Sequence, residues 1–313
     1  MNLPFYSEDD VKEALSMTEA ISAMRKAFTS LTNQIAIVPN RINLPLKDQN
    51  ALHLSMPAYI KGGKYIMIKL VNVHFDNPNN NLPLINGLIL MMDAKIGTPI
   101  ALIDGKSVTS LRTGASSGLA TELLSKSDSK IGVVVGTGVQ AVSQVEAIQC
   151  VRNLKSIKVI GRTIDQAEEF CKQFDSFVEP GNNDCLVDAD IICTATTSDN
   201  PLFDVDDVKP GVHINAVGAH QSKSRELPSN LIQKGKVYID QLEPSKHEAG
   251  DILIPITEGI YSWDNIEGEL GELIDGKIEG RKNDIDITIF NSIGNAIQDL
   301  VIGTIVLEKN ENL

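Results

Sequence analysis

Ile131-Gly132-Val133-Val134-Val135 runs directly into Gly136-Thr137-Gly138-Val139-Gln140-Ala141. A short apolar run that ends in a glycine-rich turn predicts a buried strand followed by the start of a helix. Gly136 allows the tight turn, and Gly138 lets the backbone approach an anion. Ala141 takes the third small position, where helix packs on strand. Free N–H groups and the positive dipole end at a helix start suit the pyrophosphate of a dinucleotide. The alternative is a glycine turn that binds nothing, and the surrounding pattern weighs against it.

Downstream, strands are predicted at 131–135, 157–160, 190–194, 212–217 and 236–239, with helices over 139–153 and 164–174. Strand and helix in alternation predict a parallel, doubly wound sheet. Upstream the texture differs. Runs such as Ala51-Leu52-His53-Leu54-Ser55-Met56 and Tyr65-Ile66-Met67-Ile68-Lys69-Leu70-Val71 are separated by Asn, Pro and Gly. Residues 87–93 and 99–104, joined by Ala94-Lys95-Ile96-Gly97-Thr98, predict a hairpin in a mostly antiparallel sheet.

Residues 8–33 read as one amphipathic helix starting near Ser7, and 107–125 as a linking helix rich in small residues. A strand at 285–290 and a helix from Asn295 to Glu308 are expected to return to the first region. The fold class is α/β: a doubly wound parallel sheet plus a mostly antiparallel domain to which the end of the chain returns. The expected divisions are 1–115 and 285–313 for the latter, and 116–284 for the dinucleotide-binding domain.

The chain has 313 residues and a formal net charge of -13, which argues against nucleic acid or an anionic membrane as a partner. No apolar run approaches the roughly 20 residues of a spanning helix. The first residues carry no basic region and no long apolar core, so no signal peptide is read and a cytoplasmic location is expected. The four cysteines form no CxxC pair, which fits a reducing compartment. The five histidines show no metal-ligand spacing, and no metal site is predicted.

Arg162 follows the second strand of the nucleotide domain, in Val159-Ile160-Gly161-Arg162-Thr163. An acid there would bond the ribose hydroxyls of NAD. A cation and the Thr163 hydroxyl suit a 2′-phosphate instead, so NADP(H) is favoured. Asp165 nearby keeps NAD(H) open, and Arg162 stacking on adenine is the other reading. Lys69 interrupts an apolar strand, where a buried ammonium needs an anion; a solvent-facing edge lysine is the alternative. Arg112, in Leu111-Arg112-Thr113-Gly114-Ala115, offers a bidentate clamp for a carboxylate or phosphate. An exposed helix arginine is the alternative there.

Lys69, Arg112-Thr113-Gly114-Ala115 and Gly136-Thr137-Gly138-Val139-Gln140-Ala141 together resemble the ornithine cyclodeaminase/mu-crystallin family. Asn215-Ala216-Val217-Gly218-Ala219, Glu269-Leu270-Gly271-Glu272-Leu273, Gly280-Arg281 and Phe290-Asn291-Ser292-Ile293-Gly294-Asn295-Ala296 extend the likeness over nearly the whole chain. The resemblance implies an NAD(P)-binding Rossmann domain plus a split α+β substrate and dimerisation domain made from both chain ends, and a homodimer joined through the substrate-domain sheets. It implies that Lys69, Arg112 and Arg41 hold a substrate carboxylate. Val139 and Gln140 would contact phosphate, and Ser292 and Gly294 would line the nicotinamide pocket. Arg112, Thr113, Thr196 and Val217 complete the implied cofactor set.

The cyclodeaminase pattern within the family places an aspartate where this chain has His220, which weighs against ornithine cyclodeamination. Imidazole can carry a proton near neutral pH, yet it is no carboxylate; a surface histidine without a proton role is the other reading. Leu84 stands where a threonine is expected near the cofactor. The resemblance therefore points to an NAD(P)H-dependent oxidoreductase acting on the C–N bond of a small imino or amino acid, foremost a ketimine reductase of the pyrroline-2-carboxylate type. Lys69 or His220 would move the proton. Rival readings are ornithine cyclodeaminase, alanine or opine-type dehydrogenase, and a non-catalytic crystallin-like binder.

Overall fold

Two capping boxes open the chain. Ser7 accepts from the Asp10 N–H while the Asp10 carboxylate accepts from the Ser7 N–H, and Ser16 and Glu19 repeat the pattern. The one helix expected over 8–33 is therefore two, α1 (Glu8–Ala14) and α2 (Met17–Thr32). Their apolar positions share a single periodicity, which hid the break at Leu15 and Ser16. The computed structural model describes residues 2–311. It divides the chain into Met1–Arg112 with Asn295–Leu313, and Thr113–Gly294.

The first unit holds a sheet of seven strands: β1 (Phe5–Tyr6), β2 (Ala36–Ile37), β3 (Ile42–Leu46), β4 (Ala51–Ile60), β5 (Tyr65–His74), β6 (Ile85–Asp93) and β7 (Pro99–Asp104). The order is β1-β7-β6-β5-β4-β2, with β3 also on β4. All pairs are antiparallel except β1 with β7. Side chains alternate between two faces. Met67 and Lys69 on β5, and Ile89 and Met91 on β6, are buried on one face. Ile66, Ile68, Leu70, Leu88, Leu90 and Met92 lie half-buried on the other.

The chain enters the second unit within α3 (Gly105–Leu124). A Cβ on Gly114 would lie 2.5 Å from the Ser143 carbonyl oxygen of α4 (Val139–Val151), so only glycine lets these helices pass so closely. Here eight strands are all parallel: β8 (Ile131–Val135), β9 (Ser156–Ile160), β10 (Val178–Pro180), β11 (Ile191–Thr194), β12 (His213–Ala216), β13 (Lys236–Ile239), β14 (Gly268–Glu269) and β15 (Thr288–Asn291). The order is β10-β9-β8-β11-β12-β15-β13-β14. It reverses at β8, the switch point at which open α/β sheets bind ligands beyond the strand C-termini. α5 (Ile164–Cys171), α6 (Ser229–Lys234), α7 (Leu242–Glu248), α8 (Gly250–Thr257) and α9 (Leu270–Ile274) are this unit's remaining α-helices among the described residues.

β15 corrects the expectation for residues 285–294. It lies between β12 and β13, with all four residues buried, and belongs to the parallel sheet of the second unit. Strands buried on both faces lack the alternation that would have marked them. The return to the first unit begins only at Asn295. There α10 (Ala296–Glu311) packs on α1, α2, β4 and β5. Among the described residues no helix is long and apolar enough to cross a membrane.

Candidate active site

In the first unit, Lys69 sits mid-way along β5 between Met56 of β4 and Ile89 of β6, so it is no edge residue. It is 2 % exposed. Its Nζ lies 2.7 Å from Asp299 Oδ2 and 3.4 Å from Thr109 Oγ1. Asp299, in the first turn of α10, is fully buried, and its Oδ1 lies 3.5 Å from Arg112 Nε. Arg112, also buried, donates through Nη1 to Gln298 Oε1 at 2.9 Å. Gln298 Oε1 accepts the Asn295 N–H as well, while Gln298 Nε2 is buried with no hydrogen-bond partner.

The charges do not cancel. Among the ion pairs of the described residues, Lys69 and Arg112 share the Asp299 carboxylate, so two buried cations stand against that one anion. Burial is the largest influence on Lys69 and pushes its pKa down to about 8. The Asp299 charge opposes that shift, and the Arg112 and Arg41 charges add to it. Arg41, just ahead of β3, is thus electrostatically coupled to the cluster. A desolvated positive site with an unmet donor favours a small anion. Asp299 and Gln298 were not singled out from the sequence. Their signal was polar side chains inside the apolar run Ala296-Ile297-Gln298-Asp299-Leu300-Val301, which an ordinary helix N-terminus also explains.

In the second unit, Gly136 has φ +125°, and a Cβ there would lie 2.5 Å from the Ala195 carbonyl oxygen. The turn therefore requires glycine and brings the ends of β8 and β11 together. Gly138 is the N-cap of α4, and a Cβ on it would meet nothing within 4 Å. Val139 is exposed in the first turn, while Gln140 Oε1 is buried without a hydrogen-bond partner. Arg162 is exposed after β9. Thr163 caps α5, its Oγ1 accepting from the Gln166 N–H at 3.3 Å. Thr113 is buried in α3.

The ends of the central strands are tied by buried acids. Glu226 Oε1 accepts from the Thr196 N–H at 2.6 Å and the Thr196 hydroxyl at 2.7 Å. Its Oε2 accepts from the Thr194 hydroxyl and the Gly218 N–H, both at 2.8 Å. Asp240 Oδ2 accepts from Ser292 Oγ at 3.1 Å and the Gly294 N–H at 2.8 Å. Asp251 accepts from the Glu226 and Leu227 N–H groups, and burial pushes its pKa up to about 7. Val217 is buried beside this network, whereas His220 is exposed, its Nδ1 3.0 Å from the Gly218 carbonyl oxygen.

A family model, Ornithine cyclodeaminase/mu-crystallin family, matches residues 3–312. The chain belongs to that family. It is 33% identical over 310 residues to a Delta(1)-pyrroline-2-carboxylate reductase of Bacillus cereus, covering 97% of this chain and 95% of that protein. A solved structure of Thermococcus litoralis Delta(1)-pyrroline-2-carboxylate reductase in complex with NADH and L-proline superimposes with a TM-score of 0.94 at 34% identity, covering 99% of this chain and 98% of that one. An archaeal alanine dehydrogenase dimer with bound NAD gives 0.92 at 30% identity, over 100% and 98%.

Several of this family member's motifs are architectural. Glu269 and Glu272 form a capping box on α9, and Glu269 Oε1 also accepts the Leu242 N–H at 2.8 Å. Asn215 Nδ2 donates to Thr121 Oγ1 at 2.8 Å inside the second unit. Arg281 donates to the Leu124, Asp286 and Val212 carbonyls and to the Thr288 hydroxyl, anchoring the loop before β15.

Proposed function

We propose that this protein is an NAD(P)H-dependent ketimine reductase that converts a small cyclic imino acid of the pyrroline-2-carboxylate type into the amino acid. The observation that carries the reading is the buried Lys69–Asp299–Arg112 cluster, with its surplus positive charge and the unmet Gln298 amide. The relatives named for that reaction support it.

Arg112, Gln298 Nε2 and Arg41 neutralise and orient the substrate carboxylate in this reading. Asp299 keeps Lys69 charged and aimed, since its anion offsets burial. Lys69 gives a proton to the imine nitrogen as the carbon is reduced, so C=N becomes CH–NH with one hydride and one proton gained. With a pKa of about 8, Lys69 is a stronger acid than an exposed lysine and is still protonated at neutral pH. His220 is the second candidate for that proton, held through its Nδ1 at the Gly218 carbonyl.

The second unit fits a dinucleotide. The Gly136 turn, the open space at Gly138 and the α4 N-terminus make a backbone anion cradle at the sheet's switch point. Val139 and Gln140 would hold phosphate there. Thr113, Thr196, Val217, Ser292 and Gly294 would hold the remainder. Bound nicotinamide would supply the hydride. Arg162, with Thr163 behind it, favours NADPH over NADH, because a guanidinium pairs with a 2′-phosphate.

The half-buried apolar face of the first unit's sheet calls for cover, and a second copy is proposed as that cover. Antiparallel sheets that face water normally carry polar residues there.

The test is loss of reduced-nicotinamide absorbance with purified protein, pyrroline-2-carboxylate and either NADPH or NADH, with proline measured as product. Turnover to proline is expected. Turnover only with pyruvate plus ammonia, or ammonia release from ornithine, would overturn the reading in favour of a sister activity. Cofactor binding without any turnover would favour a non-catalytic binder.

A further inference from the structure

Glu226 is fully buried, and both its oxygens are saturated by four donors. One is the Thr194 hydroxyl, at the end of β11. Two more are the N–H and hydroxyl of Thr196, just past that strand, and the fourth is the Gly218 N–H past β12. Four donors on two oxygens are the complement of an ionised carboxylate, which donates nothing itself, and they oppose the upward push that burial gives its pKa. Such an anion bridges two neighbouring strand-end loops and sets their spacing.

Glu226 is itself held. Asp251 Oδ1 takes the Glu226 N–H at 2.7 Å and the Leu227 N–H at 2.8 Å. Asp251 Oδ2 accepts from Asn291 Nδ2, at the end of β15, at 3.3 Å. The network therefore ties the C-terminal ends of β11, β12 and β15, which are neighbours in the sheet. These strands lie on one side of β8, and β9, with Arg162 after it, lies on the other. In a dinucleotide fold the residue after the second strand meets the adenosine ribose, so the opposite half takes the nicotinamide.

We propose that Glu226 is the positioning residue for the nicotinamide half of the cofactor, acting through the backbone of Thr196 and Gly218. The inference rests on the dinucleotide reading above and deepens it. Glu226 touches neither cofactor nor substrate; it fixes the two loops. A glutamine there would keep the shape but turn an NH2 group toward two existing donors.

The experiment measures binding by calorimetry for wild type, Glu226→Gln and Thr194→Val. The probes are NADH or NADPH, whichever binds wild type more tightly, and ADP, which lacks the nicotinamide riboside. For Glu226→Gln the dinucleotide Kd is expected to rise about 10–100-fold, the range for hydrogen bonds to a charged group. ADP binding is expected to stay within about twofold, as its contacts lie on the other half of the sheet. Thr194→Val removes one of the four donors and keeps the inference testable if Glu226→Gln does not fold; about a 3–10-fold dinucleotide-specific loss is expected. Parallel loss of both ligands, or loss of neither, would overturn the role of Glu226. Wild type binding neither ligand would overturn the dinucleotide reading, and this inference with it.

Discussion

The two units bury their charged groups in opposite ways. In the first, two buried cations meet one carboxylate, and a neighbouring amide donor is unmet. In the second, the buried acids Glu226, Asp240 and Asp251 accept from backbone N–H groups, hydroxyls and a side-chain amide. The first arrangement is an electrostatic demand for an anion. The second is scaffolding, since those acids direct their lone pairs to the chain itself. In the proposed function the first unit therefore works through a buried charge cluster, and the strand ends of the second through backbone position.

The sharpest way to break this contrast is to remove charge from the first unit. Lys69→Met should lower kcat/KM by about 10²–10⁴-fold, the range for a positioned proton donor, with dinucleotide Kd unchanged. Equal loss of dinucleotide binding would mean that the two roles are not separable.

Asp299→Asn tests the same cluster more gently. Lys69 loses its proton as pH rises through about 8, so the wild-type reduction rate should fall on the alkaline side of that value. Asp299 raises the Lys69 pKa, so removing its charge should move that limb to lower pH. The rate at neutral pH should drop by about 10-fold, as the buried amine is left with less countercharge. An unmoved limb would assign the titration to a group other than Lys69.

Leu90→Glu puts a charge on the apolar outer face of the first unit's sheet. Wild type is expected to sediment as a dimer and the variant as a monomer. Wild type sedimenting as a monomer would remove the need for a second copy.

On the second unit the expected effect is smaller. Arg162→Ala should weaken NADPH by about 10-fold while leaving NADH within about twofold, since one charge-assisted contact is lost. Equal effects on both cofactors would assign Arg162 to adenine stacking. The smallest effect is a control outside both sites. Ser16→Ala removes the α2 cap and should cost about 1 kcal/mol of stability in denaturant unfolding, with kinetics unchanged.

The parallel sheet was legible because continuous apolar runs such as Ile131–Val135 are bounded by glycine and turn residues. Lys69 stood out as a charge inside an apolar strand run, and Arg112 as a potential bidentate clamp in a helix rich in small residues. Glu226 did not, because Arg225-Glu226-Leu227 reads as an ordinary loop, and nothing local says that four donors converge there. Ser16 was hidden for the converse reason: its neighbours kept the helical apolar period across a real break.

By itself the sequence determined the strand–turn–helix at Gly136, the two textures of the chain and the family to which it belongs. Those are local or linear properties: period, turn chemistry and motif order. Tertiary structure alone decided that Lys69 lies in a central strand, that its partner is Asp299, 230 residues later (299 − 69), and that β15 completes the parallel sheet rather than the antiparallel one. Burial and countercharge are relations between distant segments. A residue's type shows what it can do, and only its neighbours in space show which charge is left over.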